Sequence, residues 1–317
     1  MSRTRKWFLS LLSVLAIAPA SGAAACNNYS SAPATVQPTP TSTPTPMTAT
    51  LAPVPTDAVV VVSLFDVTSS AIRFQEEAKL LLAGQLQMLV APGRGGFQFV
   101  AGTISSNSFD AANTKLAARV AGLPPKPVVA PVSSRPSAPD LTTCQQNPFG
   151  RTQCEAKLTS GYTARLNAVL DEETRATATF DEATAAWQQT AETRTNEVAS
   201  LAAQLSALPL TLDSTGTDIW GGLLRAAETL STSSAPRKLL LVASDWLPSG
   251  RQQEGELHFP AGTIVKAVFY DCVESRGCLD RKRTWTEKLV AAGAERVLWL
   301  DPGASRLQAD IFTEVTN

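Results

Sequence analysis

Asp66 stands at the end of an apolar run, in VVVVSLFDVTSSAIRF (Val59 to Phe74), and Thr68, Ser69 and Ser70 follow at once. A carboxylate with hydroxyls so closely spaced can cap a following helix, form a catalytic centre, or supply part of an oxygen-ligand set for a cation. Two further stretches carry the same chemistry. The polar loop DSTGTDIWGGLLRA (Asp213 to Ala226) holds Thr215, Thr217 and Asp218, and KLLLVASDW ends a second apolar run in Ser244 and Asp245. All these donors are oxygens, with no Cys or His among them. Hard oxygen donors with few formal charges suit Mg²⁺, Mn²⁺ or Ca²⁺.

Three separate loops can act together only if the fold brings them to one edge. Apolar, β-branched runs at 58–65, 97–104, 238–244, 263–270 and 296–300 read as strands, the first buried on both faces. Helical patterns intervene at 71–90, 219–230 and 280–292, with a terminal one from about Ser305. Strands alternating with helices predict an α/β fold with a mostly parallel central sheet flanked by helices. In such a sheet ligands bind beyond the carboxyl ends of the strands, where the three polar loops fall. No edge strand is visible after 97–104. A long insertion sits there instead, at about 106–194. Residues 123–139 are rich in Pro and read as irregular. From Gln153 to Leu208 apolar residues recur at steps of three, four or seven, which predicts one helix of roughly 80 Å or a hairpin breaking at Asp171-Glu172-Glu173.

Taken together, the three motifs resemble the metal-ion-dependent adhesion site of von Willebrand factor A domains. That family carries D-x-S-x-S after its first strand, a threonine in a later loop and an aspartate after its fourth strand. Here Asp66, Thr68 and Ser70 fall on the first motif, Thr217 on the threonine and Asp245 on the aspartate. The resemblance spans about residues 57–104 and 195–317. It implies a Rossmann-like fold and a divalent ion, Mg²⁺ or else Mn²⁺ or Ca²⁺, held by those five residues. Asp218 and Ser244 would support them, Asp218 also as a helix cap. The remaining coordination position would take an Asp or Glu of a protein partner. Two residues depart from the pattern. Thr68 replaces a serine, and Trp246 replaces a glycine and is expected to reshape the rim above the metal.

The beginning of the chain bears on location. Arg3, Arg5 and Lys6 precede an apolar stretch at 7–18 and then ASGAAAC, ending at Cys26. Residues 1–25 read as a signal peptide. The small residues before Cys26 resemble a bacterial lipobox, which implies lipidation of Cys26 and membrane anchoring; the alternative is cleavage at Ala23-x-Ala25 and secretion. Residues 26–56, dominated by Pro and Thr, read as an extended tether, and residues 57–317 as the folded domain. An exported chain meets an oxidising compartment, so Cys144, Cys154, Cys272 and Cys278, which form two locally spaced pairs, are expected as disulfides. His258 is the sole histidine, which argues against a zinc site.

With 317 residues and a net charge of −1, nothing favours nucleic acid. The expected function is a non-enzymatic, extracytoplasmic binding module of the cell envelope. The alternative is a structural envelope protein that associates through its long helix, with an incidental metal site. A hydrolase is disfavoured. Thr68 stands where an aspartyl phosphatase has a second Asp, no G-x-S-x-G elbow is present, and PGRGG (Pro92 to Gly96) lacks the Lys-Ser/Thr ending of a phosphate loop.

Overall fold

A computed structural model describes residues 57–146, 149–268, 276–300 and 311–316. The expected signal peptide, Cys26, the expected tether and Cys272 lie outside the described residues. Strand β1 (Val59–Asp66) is buried along its whole length. It pairs in parallel with β2 (Phe97–Ile104) on one side and β4 (Arg237–Ala243) on the other. Beyond β4 come β5 (Thr263–Val268) and β6 (Arg296–Trp299), both parallel. Beyond β2 lies β3 (Thr114–Val120), antiparallel, so the sheet runs β3-β2-β1-β4-β5-β6. This is the α/β, mostly parallel sheet expected, completed by an edge strand the sequence conceals. The seven residues of β3 include Lys115 and Arg119, and all but Val120 are partly or fully exposed. Such a charged edge blunts unwanted pairing and erases the apolar alternation by which a strand is recognised.

Alternate residues of β1 serve two cores, as a period of two requires. Val59, Val61 and Phe65 pack with helix α1 (Ile72–Gln85) and with the far end of helix α2 (Arg151–Ser206). Val60, Val62 and Leu64 pack with α3 (Ile219–Thr232) and α4 (Arg276–Ala291). A short last helix, α5 (Thr313–Thr316), adds Val315 to the first core. No described helix is long and apolar enough to cross a membrane.

Helix α2 is one unbroken helix of 56 residues, about 84 Å at 1.5 Å per residue. Only its end, through Val198, Leu201 and Leu205, enters the sheet's core. The remainder is an arm, and the Pro-rich segment lies along it as a strap. The Trp187 indole N–H donates to the Pro124 carbonyl at 2.8 Å, and the Lys126 ammonium sits over the same ring. Arg135 makes two hydrogen bonds to Glu173, the Ser133 N–H donates to Glu172, and Cys144 is disulfide-bonded to Cys154. The strap covers about 50 Å of helix between Cys154 and Trp187, or about 2.5 Å per strap residue, a nearly extended path suited to proline. These contacts explain why the helix does not break at Asp171-Glu172-Glu173: two of the three acids are bonded to the strap. Along the seam Leu158, Tyr162, Leu166, Val169, Phe180 and Trp187 are all at least half-buried.

The disulfide closes the strap only at the arm's tip. Replacing Cys144 and Cys154 by Ser is expected to speed amide exchange across residues 141–158 while leaving β1 and β4 protected. Hydrogen exchange read by mass spectrometry checks this; equal loosening of the sheet would show that the arm carries the domain's stability.

Candidate functional site

The carboxyl ends of β1 and β4 meet at one point, because Phe65 is level with Ala243 in the parallel ladder. Asp66 is therefore delivered beside Ser244 and Asp245. Its side chain is fully buried. Oδ1 accepts from the Thr68 N–H at 3.1 Å and the Thr68 hydroxyl at 2.6 Å, and Oδ2 accepts from the Ser244 hydroxyl at 2.6 Å. Burial raises the Asp66 carboxyl above its ordinary value. The hydrogen bonds from Ser244 and Thr68 pull it part of the way back, and the Asp245 carboxylate pushes it up again. That repulsion places Asp245 within electrostatic reach of Asp66. Among the described residues, no Lys, Arg or His side chain bonds to the Asp66 carboxylate.

Asp66 does not cap the helix that follows. The N-cap of α1 is Ala71, with no side-chain hydrogen bond. The first-loop turn is closed by backbone bonds from Ala71 and Ile72 to the Thr68 carbonyl. Thr68 is buried, whereas Ser69 and Ser70 are exposed on the turn.

Asp245 is also buried, and its Oδ1 accepts from the Leu247 N–H. The turn between them is formed by Trp246, with a φ of 56°, the left-handed region that glycine enters more readily. The Trp246 ring goes into the core, fully buried at 5.1 Å from Trp285 and 5.2 Å from Trp299. Its carbonyl accepts from the Trp285 indole, and its N–H donates to the Ser244 hydroxyl. The expectation that Trp246 reshapes the rim is thus corrected. Stacking against two other indoles draws the ring inward, where it holds the turn that aims Ser244 at Asp66.

Thr217 is buried one loop away. Its backbone pairs with Ser249, and its hydroxyl accepts from the Ser249 hydroxyl at 3.3 Å. Its hydrogen bonds therefore run to the 249–252 loop rather than to Asp66. Asp218 caps α3, as expected, by accepting from the Gly221 N–H at 2.9 Å. It also accepts from the N–H groups of Gln253 and Ser108. The structure thus bonds Thr68 and Ser244 to Asp66 and brings Asp245 within electrostatic reach of it. It sets Thr217 in an adjoining buried loop and leaves Ser70 on the exposed turn.

Two residues that sequence reasoning passed over fix these loops. The Asp213 N–H donates to the Val67 carbonyl, tying the threonine loop to the first motif. The Asp213 carboxylate accepts from the N–H and hydroxyl of both Ser106 and Thr215. Burial opposes ionisation, but these four bonds outweigh it and hold the carboxyl well below the ordinary range. Arg225, buried behind β2, donates to the carbonyls of Ser108, Asp110 and Thr103 and so pins the 103–110 segment. Burial draws its guanidinium down to about 10, against the pull of Asp110 and Asp218. Gly102 accommodates it, since a Cβ there would lie 2.7 Å from the guanidinium. Beside the first motif is a cleft of about 220 Å³, lined by Val67, Thr103, Ser105, Asn113, Lys115 and Asp213 among others.

Among the described residues, no three His, Cys, Asp or Glu side chains gather as a metal-ligand group. The candidate set differs in kind, with two carboxylates and three hydroxyls. The expected disulfide at Cys144–Cys154 is present. Cys278 is likewise disulfide-bonded. His258 lies exposed beside Glu256. No protein-family model matches the chain, and no curated protein is similar to it.

Ionised Asp66 opposes folding, because its folded-state value lies above the unfolded one. The penalty is absent below the unfolded value near 3.8 and complete above the folded one. In chelator, Asp66→Asn is expected to melt above the wild type at pH 7, the difference closing as pH falls towards 4. Thermal melts over that range test this, and an Asn variant melting lower throughout would refute it. Asp213 behaves oppositely: its stabilisation is present above the unfolded value and lost as pH falls through the folded one. Asp213→Asn turns an amide N–H towards donors and is expected to cost about 1–3 kcal/mol at pH 7. Denaturant midpoints should show that deficit holding from pH 7 to 4 and shrinking only below that, as pH falls past the unfolded value.

Proposed function

We propose that this chain is a binding module of the von Willebrand factor A type, which captures an acidic group of a protein partner through a divalent cation. The observation that carries this reading is Asp66. It is a fully buried carboxylate, met by hydroxyls and backbone, with a second carboxylate close by and, among the described residues, no side-chain cation bonded to it. A pair of this kind is poorly stable alone and well suited to a divalent ion. The sheet order, with β1 central and an antiparallel edge strand, adds support, since it puts the three motifs at one carboxyl edge.

The donor set fits Mg²⁺, Mn²⁺ or Ca²⁺. Asp66, Thr68 and Asp245 would hold the ion from the β1 and β4 ends, with Ser70 from the exposed turn and Thr217 from the adjoining loop. Ser244 would orient Asp66. When bound, the ion supplies an electrophilic position for a partner's Asp or Glu. Three of the five protein donors are neutral hydroxyls, which leave much of the ion's charge for that incoming carboxylate. Exposure of Ser70, and burial of Thr68 and Asp66, support an open side that would face solvent at the turn. The N-terminal features read as an export signal and lipid anchor would put such a module at the outer face of a membrane. Association through the long helix has less support, because the strap lies along its apolar seam.

Millimolar Mg²⁺ or Mn²⁺ is expected to raise the melting temperature of the wild type, reversibly with EDTA, by the equivalent of about 2.7 kcal/mol at a hundredfold excess over Kd. Asp66→Asn and Asp245→Asn should not respond. A wild type indifferent to Mg²⁺, Mn²⁺ and also Ca²⁺ would dispose of the metal reading and leave the fold untouched.

A further inference from the structure

Helix α4 begins at the same edge as the candidate ion site. Val268, the last residue of β5, is level with Ala243 at the end of β4, and α4 starts eight residues later. The helix carries five basic side chains, Arg276, Arg281, Lys282, Arg283 and Lys288, against two acidic ones, on a chain whose net charge is −1. Four of the five lie in its first eight residues, with Arg276 in the first turn and Asp280 the one acid among them. Arg276 is the reverse of what helix stability favours in a first turn, since the amino end of a helix is already positive. The Arg281 guanidinium donates to the Asp245 carbonyl at 2.9 Å, which joins this positive end to a candidate metal ligand. Arg276 and Arg283 are exposed and Lys282 partly so, while Arg283 is engaged by Asp280. The loop leaving Asp245 adds an exposed Leu247 and an exposed Arg251.

We propose that the start of α4 is a second contact surface of the same site, and that it selects an acidic segment of the partner rather than a lone carboxylate. One carboxylate of the segment meets the ion, and its neighbours lie along Arg276 and Lys282, with Leu247 as an apolar contact at the rim. This rests on the metal reading above. The excess of cations beside the ion site offers charge complementarity to an anionic partner. Cations at a rim act mostly through steering and salt-dependent affinity.

The probe is a capped hexaglutamate peptide, titrated into the full chain in saturating Mg²⁺ and again in EDTA. Wild type is expected to bind it more tightly in Mg²⁺. Arg276→Glu/Lys282→Glu should weaken binding about tenfold and flatten its salt dependence, while keeping the wild-type Mg²⁺ shift in melting temperature. Arg276→Gln/Lys282→Gln, the milder pair, should fall between. The melting shift reports the ion site and the peptide comparison reports the helix, so the two ideas fail separately. Equal peptide affinity in wild type and both variants, or equal affinity in Mg²⁺ and EDTA, overturns the proposal. So does a stronger, equally α4-dependent attachment to phosphatidylglycerol vesicles, which would make the surface a lipid contact.

Discussion

A carboxylate removed from water at the end of a central strand, and met there by two hydroxyls and one backbone N–H, needs compensation from its surroundings. Asp66 is in that position. The strand that carries it is buried on both faces, so it cannot move towards solvent without dragging both cores with it. The neighbouring loops are built to that fixed point. Trp246 bends left-handed and buries its ring so that Ser244 faces Asp66. Asp213 holds the threonine loop to the Val67 carbonyl, and Arg225 holds the segment after β2. The sheet supplies rigidity, and the loops supply donors.

Strands buried on both faces announced themselves as apolar runs, which is why β1, β2, β4 and β5 were legible within one or two residues at their described ends, and the half-buried edge strand β6 kept enough apolar residues to be read as well. The same physics hid β3, whose exposure and charges leave no apolar alternation. The helical period of α2 was equally plain, but its continuity was not. A seam of that length must be covered by something, and the cover is a proline-rich strap that carries no helical or strand signal of its own. Its contacts with Glu172 and Glu173 depend on chain reversal, which no local window contains.

The site was legible to a similar depth. That Asp66, Thr68, Ser244 and Asp245 share one edge follows from strand ends in a parallel sheet, and Asp218 as a cap follows from its place before an apolar helix. The direction of the Trp246 ring did not follow, because it depends on Trp285 and Trp299 arriving from α4 and β6. Nor did the engagement of Thr217 with Ser249, which joins two loops 32 residues apart.

The D-x-T spacing by itself has little meaning. It occurs at Asp66-Thr68, Asp140-Thr142 and Asp213-Thr215, and in each the carboxylate accepts from the N–H and hydroxyl of the threonine two residues on. This is a local turn that any such triplet can adopt. What differs is the environment. At exposed Asp140 and half-exposed Asp213 the bonds prevail and the carboxyl falls below its ordinary value. At Asp66 burial prevails and the carboxyl rises, although a third donor, Ser244, has been added. The same turn is thus relaxed in two places and electrostatically unsatisfied in one. A cation would relieve that imbalance at Asp66 and would have little to relieve at the other two, so the strand beneath the motif, more than the motif itself, singles out this turn as the candidate.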